Sequence, residues 1–128
     1  MKVLHTDKAP AAVGPYSQGL ASGDIVFVSG QIPVDPATGN IADDIADQAE
    51  QCISNISNIL AENGLGLKDV IKTTVLLTDL ADFDAVNKRY GELFADPYPA
   101  RSCFEVSALP KGCQIEIEAI AVKGHDGE

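Results

Sequence analysis

The sequence predicts an α+β fold, a mixed β-sheet with two helices packed on one of its faces, in a single domain spanning 1-128. Three observations lead there. Two stretches carry apolar residues at helical spacing, four runs rich in β-branched residues surround them, and no repeat, low-complexity tract or linker interrupts the 128 residues. The order strands, helix, strand, helix, strands is that of a sheet with its helices segregated to one side. A chain of this length suits one hydrophobic core.

The N-terminal stretch offers only weak strand signals, and the first firm strand runs from Ile25 to Ser29. From Asp43 to Asn63 the residues Ile45, Ala49, Cys52, Ile53, Ile56, Ile59 and Leu60 recur on one helical face, and Asn63-Gly64 supplies a left-handed stop. Val70 to Leu77 follows as a strand. Leu80, Phe83, Val86, Tyr90, Leu93 and Phe94 predict a second helix from Leu80 to Phe94, with Asp79 as N-cap and Pro97 beyond its end. The last strands are Ser102 to Val106 and Gln114 to Val122.

In Ile25-Val26-Phe27-Val28 and in Ile120-Ala121-Val122, apolar side chains fall on both faces of a strand, yet two helices can cover only one face of a sheet. The second face therefore calls for a partner subunit, each buried side chain adding roughly 1.5 to 3 kcal/mol. A long loop of the same chain lying over the sheet is the alternative.

The formal net charge of -10 repels phosphate backbones and anionic membrane surfaces, so the composition argues against nucleic acid and membrane partners. An anionic ligand would need a local cation. The start of the chain has no apolar run of signal-peptide length, and no stretch reaches the ~18 apolar residues of a membrane helix, which predicts a cytoplasmic protein. Cys52, Cys103 and Cys113 suit reduced thiols, and His5 and His125 stand at opposite ends of the chain, so no metal site is expected.

Arg101 opens a strand, and its planar guanidinium can grip a carboxylate through two parallel hydrogen bonds. A solvated or ion-paired surface arginine is the plain alternative. Strand alternation sets Arg101, Cys103 and Glu105 on one side, and Glu116 and Glu118 together with Ile120 and Val122 on one side of the last strand. A carboxylate on such a face tends to be partly buried, where burial raises its pKa and a nearby arginine lowers it, fitting it as a base or an ion-pair partner; an ordinary edge of polar residues facing water is the plain alternative. Gly14-Pro15-Tyr16-Ser17-Gln18 and Val28-Ser29-Gly30-Gln31-Ile32-Pro33 each put a glycine beside polar groups, as a close ligand approach or a simple turn would require. Asn87 interrupts the stripe of the second helix and reads by itself as helix surface. Cys103 and Cys113 read as small buried hydrophobes without a neighbouring base, against cysteine nucleophilic catalysis.

Four blocks in order, Gly14 to Gln18, Val28 to Pro33, Asp82-Phe83 with Val86-Asn87, and Pro99-Ala100-Arg101-Ser102-Cys103 with Ile115-Glu116-Ile117-Glu118, make the chain resemble the RidA (YjgF) family, which deaminates reactive 2-imino acids. The resemblance implies a chorismate-mutase-like fold assembled as a homotrimer, with sheets inward and clefts between subunits. It also implies hydrolysis of 2-imino acids to 2-keto acids and ammonia without a cofactor. By the same carry-over Arg101 holds the substrate carboxylate and Glu116 positions or activates water. Tyr16, Ser29, Gly30, Asn87 and Cys103 line the cleft, Cys103 mainly through its backbone. The segment Phe94 to Tyr98 is short beside some relatives and borders the entrance.

Other readings stay open on the sequence alone. A non-catalytic module binding a small carboxylate such as a 2-keto acid would use the same Arg101. A ribonuclease or translation inhibitor, an activity ascribed to some relatives, fits poorly with an acidic chain lacking a basic stripe. Chorismate mutase activity would rest on fold likeness alone.

Overall fold

In the computed structural model, which describes residues 1–124, the strands are β1 (Lys2–Leu4), β2 (Gly19–Ser22), β3 (Ile25–Gln31), β4 (Val70–Leu77), β5 (Ala100–Glu105) and β6 (Ile115–Val122). The helices α1 (Ile45–Ala61) and α2 (Phe83–Leu93) follow β3 and β4 respectively. One mixed sheet results, in the order β1-β2-β3-β6-β4-β5. Only β4 and β5 run parallel, joined by the crossover through α2. His125 lies outside the described residues.

The α1 stripe is buried as its periodicity requires, with Cys52, Ile53, Ile56, Ile59 and Leu60 facing the sheet. The Asp44 carboxylate caps its start by accepting from the Asp47 N–H at 3.1 Å, and Gly64, at φ +72°, turns the chain away after its end. The second helix departs from expectation at its beginning. Leu80–Asp82 forms a 3-10 turn, and the α-helix starts at Phe83. The Asp79 carboxylate accepts from the Ala81 N–H at 2.9 Å, and the Leu80 N–H donates to Glu105 at 2.9 Å. That tie to the end of β5 tightens the first turn and leaves Leu80 exposed, outside the core that its spacing predicts.

Val26, Val28, Val75, Leu77, Ile115, Ile117, Ala119 and Ala121 form the buried side of the sheet beneath the helices. Three buried amides fasten α1 and the N-terminal loop around this layer. Asn55 donates to the carbonyls of Ile32 and Val34, each at 3.1 Å, and Gln48 exchanges hydrogen bonds with both the side chain and the N–H of Gln114 at 3.0 Å. Gln18 accepts from the Thr6 N–H at 2.8 Å and donates to the Pro10 carbonyl at 2.8 Å, so the loop before β2 is held from beneath.

The opposite side of the sheet carries Ile25, Phe27, Ile71 and Phe104 at 43%, 50%, 43% and 56% exposure, with Ile120 and Val122 half-buried beside them. No loop among the described residues lies over it, which removes the same-chain alternative. Two-sided apolar strands with one covered face are what the sequence calls for, and in the single chain the second face stays exposed.

Candidate active site

Residues 29 to 31 shape the cleft in which Glu116 lies. Between Val28, opposite Ala119, and Gln31, opposite Ile117, β3 advances three residues while β6 advances two, so a bulge forms at Ser29-Gly30. The bulge presses Gly30 against Glu116. A Cβ added at Gly30 would collide with the Glu116 Oε2 atom and come within 2.8 Å of its Cδ, so the missing side chain is what gives this carboxyl its place.

The Ser29 hydroxyl donates to the Ser17 carbonyl at 2.6 Å, and the Ser29 N–H donates to the Gln18 carbonyl at 2.9 Å. These bonds fix the loop that carries Tyr16. Tyr16, Ser29, Gly30, Glu116 and Glu118 then line one cleft of about 670 Å³, walled by Pro10 and Val13 and bordered by Lys111. Lys111 sits in a left-handed backbone conformation, φ 59° and ψ 21°, in the turn that leads into β6. Burial pushes the Glu116 carboxyl above its ordinary pKa, and the neighbouring negative charge of Glu118 adds to the rise.

Arg101, Asn87 and Cys103 stand apart from this cleft. Register pairs Arg101 with Thr73 and Cys103 with Val75, both buried under the helices, whereas Glu116 pairs with Leu76 and Glu118 with Thr74. Because alternate residues of β4 point to opposite sides, Arg101 and Glu116 of one chain stand on opposite faces of the sheet. Within one chain they do not meet.

On its own face the Arg101 guanidinium is held by three neighbours. It donates to the Asn87 side-chain oxygen at 2.6 Å and lies 5.0 Å from the Tyr90 ring centre and 5.4 Å from that of Phe83. Tyr90 is fixed in turn, its hydroxyl 2.7 Å from Thr73 Oγ1 in the core. Among the described residues no carboxylate pairs with Arg101, while Arg89, on α2, is engaged by Asp47 at 3.0 Å and Glu50 at 2.8 Å. Arg101 also borders a hollow of about 350 Å³ shared with Tyr98, Pro99 and Gly91.

Asn87 is therefore a partner of Arg101, where helix periodicity alone reads it as surface. Phe83 and Tyr90 are sequence-predicted core residues whose second task, holding a cation, leaves no trace in the 3.6-residue period. Cys103 packs against the core, and burial raises its thiol pKa while Arg101 opposes the rise. Cys52 and Cys113 are buried and their thiols are also raised, first by burial. Such thiols are poor nucleophiles.

Residues 6–123 match the sequence model of the family described as Endoribonuclease L-PSP. A RutC family protein of Sinorhizobium fredii is 53% identical over 118 residues, covering 91% of this chain and 94% of that protein. The 2-iminobutanoate/2-iminopropanoate deaminase of Salmonella typhimurium is 50% identical over 125 residues, covering 95% and 98% respectively. The crystal structure of Escherichia coli TdcF with bound serine superposes with a TM-score of 0.92 at 46% identity, covering 96% of this chain and 99% of that one.

Proposed function

This chain belongs to the Endoribonuclease L-PSP family, matched over residues 6–123, whose relatives include the RutC and RidA proteins, and from that premise we propose that it hydrolyses 2-imino acids to 2-keto acids and ammonia in a cleft between two copies of itself. The observation that carries the reading is the division of the site. Arg101 is oriented without an internal carboxylate partner on one face of the sheet, and Glu116 lies half-buried in a cleft on the other. A second copy laid against the exposed apolar face brings the Arg101 of one chain to the Glu116 cleft of its neighbour, and a homotrimer closes this head-to-tail contact into a ring.

In that cleft the Arg101 fork takes the substrate carboxylate, and Asn87, Phe83 and Tyr90 keep the fork in plane. The imine carbon is already electrophilic. Water attacks the protonated imine, C=NH2⁺, as the Glu116 carboxylate accepts the water proton, giving a neutral carbinolamine, and the same carboxyl then returns that proton to the amine, making it an ammonium leaving group. The carbon–nitrogen bond breaks, ammonia leaves, and loss of the hydroxyl proton completes the 2-keto acid. Such a step needs positioning and one proton carrier, so no metal or organic cofactor has a part in it.

The small-carboxylate reading agrees with the serine bound by the TdcF relative, and the net charge of -10 opposes an RNA substrate. The test generates 2-iminobutyrate or 2-iminopropionate with a pyridoxal-phosphate dehydratase and follows its decay with this protein added. Faster decay supports the deaminase. Unchanged decay together with tight binding of the 2-keto acid would assign a binding module instead.

A further inference from the structure

Glu118 has no place in the chemistry above, yet it is set to influence it. Strand alternation puts it two residues from Glu116 on the same face of β6, and both side chains line the same cleft. Among the described residues neither carboxylate forms an ion pair. The missing side chain at Gly30 leaves the space that the Glu116 carboxyl occupies against the Ser29-Gly30 bulge, on the face of β6 that Glu118 shares.

Resting on the deaminase reading, we propose that Glu118 is a positioning residue that acts through Glu116, its charge keeping a proton available on that carboxyl for the departing amine. Burial holds a proton on the half-buried Glu116 first, and the negative charge of the exposed Glu118 on the same face adds to that effect. The higher proton affinity serves both halves of the reaction, since the carboxylate becomes a stronger base toward water and its acid form a readier donor to nitrogen. The neighbouring copy's Arg101, which the proposed assembly brings to this cleft, opposes the effect of Glu118 by favouring the ionised carboxylate, and other charged or titratable groups around Glu116 are few. Tyr16 and Lys111 come from the loops bordering the cleft, Cys113 precedes β6, Cys52 approaches from α1, and Lys72 on β4 donates to Ser102 Oγ at 3.0 Å. Covering this face by a second copy removes water from between the two glutamates and strengthens their interaction.

The experiment follows the Glu116 carboxyl directly by ¹³C NMR titration of the whole protein and, in parallel, the pH profile of kcat/KM for imine decay, in wild type, Glu118→Gln and Glu118→Asp. Glu118→Gln should move the Glu116 titration midpoint to lower pH, carry the acid limb of the rate profile with it, and lower kcat several-fold with KM little changed. Glu118→Asp should restore both. An unmoved midpoint in Glu118→Gln overturns the proposal, and so does a moved midpoint that the rate profile ignores. Absence of imine turnover in wild type would overturn the deaminase reading by itself, while the NMR midpoint still decides whether Glu118 acts on Glu116.

Discussion

Arg101 owes its orientation to one amide and two aromatic rings, and its substitution separates charge from shape. Charge-assisted hydrogen bonds contribute roughly 1.5 to 3 kcal/mol each, so Arg101→Ala should lower kcat/KM for imine decay by about two orders of magnitude or more. Arg101→Lys should be nearly as damaging, because a point charge lacks the planar two-point grip. Near-normal turnover by an assembled Arg101→Ala protein would place the carboxylate elsewhere. Glu116 gives a prediction of opposite sign for stability. Its carboxyl keeps a proton more readily in the folded chain than in the unfolded one, first through burial and then through Glu118. The stabilisation from that preference is complete below the unfolded carboxyl's range and is lost as pH rises through the raised folded value. Glu116→Gln, which never ionises, should therefore melt at a higher temperature than wild type near neutral pH, the two curves converging in acid, while kcat falls. Equal Tm values at neutral pH would contradict the buried-charge account. At this scale the sequence was legible in part. Strand alternation grouped Arg101 with Cys103 and Glu116 with Glu118, but the opposition of the two groups depends on the register of β4 with β5 and β6, which joins residues far apart in the chain.

Among the elements, the long periodic ones announce themselves and the short ones do not. The α1 stripe and the β-branched runs of β4 and β6 carry enough repeating burial to be read directly. β1 has only three residues and β2 reads Gly-Leu-Ala-Ser, with no β-branched side chain, so these strands exist because β3 offers them an edge to pair with. Gly19 shows how tightly that edge is packed. A Cβ there would stand 2.9 Å from Ile59 Cγ2 and 3.3 Å from two side-chain atoms of Leu4, wedging α1 away from β2. Gly19→Ala should destabilise by about 1 to 3 kcal/mol, as overpacking of a well-filled core does. Urea unfolding of the purified variant measures it, and an unchanged midpoint would mean that α1 shifts freely over this edge. The 3-10 start of α2 escaped the periodic reading for a similar reason, since the Glu105 contact that tightens it comes from a strand yet to follow in sequence.

For the whole molecule, the exposed Ile25, Phe27, Ile71 and Phe104 give the uncovered face of the sheet the apolar character that packing against a second copy would bury. Sedimentation equilibrium should find a homotrimer at micromolar concentration, and Phe27→Lys should dissociate it and abolish turnover while the helical circular dichroism persists. A folded, active monomer would remove the shared cleft. The placement of Arg101 and Glu116 on opposite faces also has a genetic expression. An allele encoding Arg101→Ala and one encoding Glu116→Gln, each silent alone, should complement when co-expressed, because a mixed ring joins the intact arginine of one product to the intact glutamate of the other. Random mixing in equal amounts leaves about a quarter of the clefts with both residues. Two inheritable defects that a one-chain active site could never cancel would here repair each other.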